Sequence, residues 1–152
     1  MAIKHIHRIP VEEKFIEPLG EAICVCQYLD DTLRCIGRRL NTDFYSQTLK
    51  RSSGLLVKEL KTTISTCDIA EAFRGELLEL CEKSRLLFLE RNKVVHSHGY
   101  TKPNGDQGRV HQVAGHGNTY IELDFIIKFV ENASSLACEA NNYLHDVRIT
   151  SS

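Results

Sequence analysis

Phe73, Leu77, Leu80, Ser84, Leu87, Arg91 and Val94 follow one another at alternating steps of four and three. At about 3.6 residues per turn, that spacing keeps all seven on one face of an α-helix. A helix with so regular an apolar face has to bury it against other helices, and this seam limits the fold more than any other feature of the chain. A similar stripe, Leu19, Ile23, Cys26, Leu29, Leu33, Ile36 and Leu40, predicts an earlier helix, with Asp30, Asp31, Arg34, Arg38 and Arg39 on its outward side. A third runs through Leu123, Ile127, Val130, Ser134, Ala137, Asn141 and Leu144, widened by Ile126, Ala133 and Ala140.

Between the first helix and the seam helix the pattern is weaker. Leu55, Leu56, Leu60 and Ile64 give a partial stripe after the capping residues Asn41, Thr42 and Asp43, but Ser52-Ser53-Gly54 interrupts it. Either that helix starts late or the small residues permit close packing. Pro18 suits the first turn of the first helix, where a missing N–H costs nothing. Asp68 with Glu71 reads as the N-cap and capping-box partner of the seam helix.

After the seam helix comes a Gly/His-rich stretch. Pro103-Asn104-Gly105 signals a turn, and the runs 109–113 and 119–123 flank Gly115-His116-Gly117-Asn118 as in a hairpin. The expectation is an all-α four-helix bundle forming one domain over residues 1–152. Residues 1–10 would be an extended arm, and 97–121 a long loop or small hairpin insertion between the last two helices.

Composition narrows the class. With 152 residues, 42% hydrophobic and 26% charged, the chain can bury a core without metal or disulfide staples. A net charge of −1 argues against a surface built throughout for nucleic acid, yet permits a local basic patch. The six cysteines, Cys24, Cys26, Cys35, Cys67, Cys81 and Cys138, fall within helical patterns and contain no C-x-x-C, so they are expected as buried thiols in a reducing compartment. The start lacks the apolar run of a signal peptide, and no run of about 18 apolar residues follows, so a cytoplasmic location is expected.

Arg91 is the anomaly of the seam. A guanidinium cannot shed its charge, and burying it unpaired costs several kcal/mol, on the order of 3–5. It must therefore meet a carboxylate, a partner surface or a ligand phosphate, unless its head snorkels to water past the helix end. Asn92 and His96 stand four residues apart, one helical turn, and are expected as neighbours, with Arg91 converging from the core side. Arginine, asparagine and histidine together suit phosphodiester cleavage in RNA. A histidine can move the proton of the 2′-hydroxyl or of the leaving oxygen, an arginine can hold the charge developing at phosphorus, and no metal is needed.

Arg91-Asn92-Lys93-Val94-Val95-His96 resembles the R-x4-6-H motif of HEPN domains, helical bundles whose nuclease members carry it at a helix end with a polar residue after the arginine. Arg91 to His98 would satisfy the same motif with six intervening residues. The resemblance covers the second half of the chain. It implies a homodimer with Arg91 and His96 of both chains lining one cleft, and metal-independent endoribonuclease activity in a toxin or phage-defence setting, with a protein antitoxin as a further partner. In that reading Arg91, Asn92 and His96 are catalytic, no cofactor is required, and the chain meets RNA rather than a membrane.

Charge and composition near the motif nominate substrate-binding residues. Between Arg85 and His111 five basic residues face two acidic ones, a local +3, which a phosphate backbone would reward. Lys93, His98, Lys102 and Arg109 belong to that region, and Tyr100 among them could stack on a base. Two other readings stay open. His96, His98, His111 and His116 lie in one region and are metal-ligand types, though without the usual scaffold. The chain could equally be a non-catalytic helical module that binds RNA or protein, as an adaptor or antitoxin-like partner.

Overall fold

The computed structural model describes residues 13–149. The expected arm at 1–10 lies outside them. The chain is mostly helical, in the order α1 (Glu13–Leu40), α2 (Phe44–Thr48), α3 (Ser53–Thr66), α4 (Glu71–Val95), β1 (His98–Thr101), β2 (Gln107–Val113), β3 (Gly117–Ile121) and α5 (Leu123–Leu144), closed by a 3-10 turn at Val147–Ile149.

Helix α1 lies along α5 and also touches α3 and α4. Their apolar faces merge into one core, with Leu29, Leu33 and Ile36 from α1, Leu56, Leu60 and Ile64 from α3, Phe73, Leu77 and Leu80 from α4, and Ile126, Ala133 and Ala140 from α5. The α4 seam holds to its end: every member is buried except Arg91, which is half-buried, and Ser84 closes its hydroxyl onto the Leu80 carbonyl.

Several expectations need correcting. The weak second helix is two elements. The short α2 ends before α3 starts at Ser53, where the Ser52 side chain accepts from the Leu55 amide, so the interrupting serines mark a helix start. Phe44 of α2 folds back onto Gly37 of α1 so closely that a Cβ at 37 would lie 2.1 Å from its ring. Pro18 stands inside α1, five residues beyond Glu13. The N-cap position of α4 is Ala70, with no side-chain cap, so Asp68 does not cap it; Glu71 still places a negative charge in the first turn, where the helix dipole favours one. On α5 the buried line runs Ile126, Phe129, Ala133, Leu136, Ala137 and Ala140, and Ile127 is exposed. The centre of that stripe is therefore one residue off the expected seam.

The insertion is a three-stranded antiparallel sheet in the order β1-β2-β3. Gly115 and Gly117 take positive φ at the expected hairpin turn, as does Gly105 after Pro103-Asn104. Strand β1, in a stretch read as loop, pairs His98 with Val110 and Thr101 with Gln107. Ile121 carries the sheet into the core, and α5 begins two residues later. Of the cysteines, Cys26 and Cys81 are buried; Cys24 and Cys138 are exposed, against expectation, and all six are free thiols. No described helix is long and apolar enough to cross a membrane.

Candidate functional site

The end of α4 gathers groups from three helices. Arg91 Nη1 donates to Ser53 Oγ on α3 at 2.7 Å, and Nη2 donates to Asn92 Oδ1 at 3.2 Å. Ser53 Oγ in turn donates to Asp30 Oδ2 on α1 at 2.8 Å. The guanidinium lies over the Phe88 ring, 5.1 Å from its centroid. The partner that a seam arginine requires is thus a hydroxyl and an amide of its own chain, with a carboxylate one bond further on.

Asp30 was expected on the outward side of α1. Instead it turns toward α3 and α4, and its Oδ1 is buried with no hydrogen-bond partner among the described residues. Arg34, also expected outside, is half-buried and donates to the Thr48 and Arg51 carbonyls. Burial pushes the Asp30 carboxyl above the usual range, opposed by the Ser53 hydrogen bond and by the charges of Arg34 and Arg91.

Arg91 and His96 line one open cavity of about 330 Å³, together with Ile23, Cys26, Gln27, Asp30 and Val95. His96 is the C-cap residue of α4 and is exposed; its backbone N–H bonds to the Asn92 carbonyl at 3.1 Å. Asn92 therefore spends its side chain on Arg91, not on His96 as its one-turn spacing suggested. Burial raises the Cys26 thiol to about 11, so it stays protonated at neutral pH and is no nucleophile. A larger groove, about 490 Å³, runs between α4 and α5 past Leu86, Leu89 and Leu136. Its Lys83 is paired with Glu139, and neither Arg91 nor His96 reaches it, so size alone does not mark the chemistry.

The bonding of the other arginines makes Arg91 distinctive. Arg34, Arg39, Arg74 and Arg109, the other half-buried arginines among the described residues, each donate to at least one backbone carbonyl: Arg39 to Leu144, Arg74 to Ile64, Cys67 and Ile69, and Arg109 to Ser97, while Arg74 also pairs with Glu71 and Arg109 also donates to the Ser97 hydroxyl. These close helix ends. Arg91 donates to side chains, and its remaining N–H groups have no partner among the described residues.

The expected substrate-binding residues do not converge on the cavity. Lys93 is paired with Glu90 at 2.9 Å, and Lys102 with Glu122 at 3.5 Å. Arg109 anchors the sheet to the α4 end through Ser97 Oγ at 2.8 Å, with burial drawing its pKa down. Tyr100 packs against Tyr120, centroids 5.4 Å apart, over Gly108, where a Cβ would meet its ring at 2.6 Å. His98 is exposed at the start of β1. Glu82 and Glu122, just outside the 85–111 window, pair with Arg85 and Lys102. Widening the window to include them also takes in Lys83, which sets six bases against four acids and cuts the local surplus to +2. Among the described residues no three His, Cys, Asp or Glu side chains gather to hold a metal ion, so His96, His98, His111 and His116 form no such group.

Asp30 and Ser53 escaped the sequence reading. Asp30 lies about 40° from Cys26 on a helical projection, at the edge of the buried stripe, which is the one signal that could have found it. No protein-family model, no curated protein and no solved structure matches this chain.

Proposed function

We propose that this chain is a HEPN-type, metal-independent endoribonuclease, a toxin or phage-defence component that cleaves RNA by 2′-hydroxyl attack on the adjacent phosphate. One observation carries the reading: a permanent cation, Arg91, and a titratable exposed base, His96, line the same open cavity at the end of α4. The 2′-oxygen bonds to phosphorus as the 5′-oxygen leaves, His96 takes or gives the proton, and Arg91 stabilises the charge gathering on the non-bridging oxygens. Asn92 holds the guanidinium on one side. His96 fits the motif better than His98, because it shares the cavity with Arg91 and His98 does not.

The reading includes a homodimer that brings two copies of the cavity together, so that one His96 can serve as base and the other as acid. Ile23 and Val95, exposed apolar residues at the cavity wall, supply surface for such an approach. A protein antitoxin would cover the same face.

Purified protein is incubated with structured RNA in EDTA beside Arg91→Ala and His96→Ala. Cleavage by the wild type alone supports the proposal. No cleavage by the wild type, or equal cleavage by all three, overturns it, and loss of wild-type cleavage on adding EDTA points to a metal enzyme. The second reading, a non-catalytic module binding RNA or protein, is favoured by the ion pairs that engage three of the five basic residues of that region. A folded protein that binds RNA without cutting it would establish that alternative.

A further inference from the structure

We infer that Asp30 and Ser53 are positioning residues for Arg91, a side-chain relay that turns the guanidinium so that its unused N–H groups face the cavity; this rests on the nuclease reading above.

The direction of the relay follows from donor counting. A guanidinium only donates, so the Ser53 oxygen must accept from Arg91, and its single proton is then committed to Asp30. The chain Arg91 to Ser53 to Asp30 has one polarity, ending on a carboxylate oxygen. Its members come from α4, α3 and α1, and Ser53 is buried with only 4% of its surface exposed. On the other side Asn92 Oδ1 takes one N–H, and the Phe88 ring supports the plane. Two of the five N–H donors are thereby fixed, and three are left for a ligand.

A structural arginine closes backbone carbonyls, as each of the other four half-buried arginines does, two of them with a side-chain bond besides; Arg91 bonds to no backbone carbonyl among the described residues. Side chains that hold Arg91 can set the orientation of a charge without closing any helix end, and the cavity is where that orientation matters. Catalysis is sensitive to such placement: an error of about 1 Å in a reacting group costs on the order of a hundredfold in rate.

The test compares wild type, Ser53→Ala, Ser53→Thr and Asp30→Asn in two measurements. The first is single-turnover cleavage of a structured RNA over a range of concentrations. Ser53→Ala is expected to lower the maximal rate by about ten- to a hundredfold with little change in the half-saturating concentration, and Ser53→Thr, which keeps the hydroxyl, to recover most of it. The second is the ¹⁵N-resolved Nε–H resonance of Arg91, assigned by its loss in Arg91→Ala. It is expected to be sharp in wild type and Ser53→Thr, and broadened by exchange in Ser53→Ala.

If the wild type cleaves and Ser53→Ala cleaves at the same rate, the relay inference fails and the nuclease reading stands. If the wild type cleaves nothing, the nuclease reading fails, and the relay loses its catalytic meaning whatever the resonance does. An unchanged resonance in Ser53→Ala overturns the relay by itself. Should Ser53→Ala not fold, Asp30→Asn replaces it in both measurements with the same criteria, the amide removing the charge that anchors the relay.

Discussion

The two ends of α4 each hold a half-buried arginine, and they use it in opposite ways. Near the start, Arg74 pairs with Glu71 and reaches back to the carbonyls of Ile64, Cys67 and Ile69, closing α3 and the turn after it. Near the finish, Arg91 reaches the Ser53 and Asn92 side chains and lines a cavity shared with His96. Carbonyls are fixed by the backbone and accept a guanidinium wherever a helix ends. Side-chain acceptors must be present in the sequence at the right places on separate helices. The first arrangement serves stability; in the relay proposed above, the second orients one charge.

The contrast breaks if the two arginines respond alike to removal. If the chain is the nuclease proposed above, the largest effect is expected at the Arg91 end. His96→Ala should lower RNA cleavage by about a thousandfold, equivalent to about 4 kcal/mol of barrier, while thermal unfolding stays where it was. Arg91→Ala should do as much to cleavage and cost no more than about 1 kcal/mol of stability, because Ser53 and Asp30 keep their mutual bond. Arg74→Ala should invert this pattern. Leaving several carbonyls without their charged donor costs about 3 kcal/mol in urea unfolding, with the cleavage rate per folded molecule unchanged. Should Arg74→Ala abolish cleavage in a folded protein, or Arg91→Ala unfold it, the division of labour is wrong.

A finer cut on the same proposal falls within the Arg91 end. Asn92 holds one N–H of Arg91 at 3.2 Å and makes no side-chain bond to His96, so Asn92→Ala should slow cleavage by about fivefold, the worth of one ordinary hydrogen bond of about 1 kcal/mol. A loss as large as that of His96→Ala would mean that Asn92 touches the substrate and does more than steady Arg91.

The difference between the two ends also tracks what the sequence discloses. The α4 seam was legible because period alone places Phe73, Leu77, Leu80, Ser84 and Leu87 on one face, and Arg91 stood out as the charge that breaks it. The hairpin was legible from its glycine turns. Strand β1 was not: His98-Gly99-Tyr100-Thr101 is short and carries a glycine, and it is a strand only because β2 pairs with it. Asp30 was assigned to solvent because a helical projection gives angles around α1 but not how far α3 and α4 reach around it. Ser53 looks like an interruption in a stripe, although it begins α3 and bonds to both Arg91 and Asp30. Ser53 and the Asp30 it bonds to lie 38 and 61 positions before Arg91, at distances no local pattern encodes.

Asp30 offers the smallest and most discriminating measurement, because stability and activity should move in opposite directions there. Burial holds its carboxyl above the usual range in the folded protein, against the Ser53 hydrogen bond and two arginines. A raised carboxyl binds its proton more tightly folded than unfolded, so this group's contribution to stability falls as pH climbs from the unfolded to the folded pKa, and the cost persists above both. Asp30→Asn removes that titration. Its melting temperature at neutral pH should rise above the wild type's, and the gap should close as pH is lowered into the range where the wild-type carboxyl is protonated. RNA cleavage should fall at the same neutral pH, since the relay to Arg91 has lost its charge. A variant that is both less stable and less active would mean that the carboxylate is simply part of the core's hydrogen bonding. One that is more stable and slower is what a charge kept for orientation, at the expense of stability, predicts.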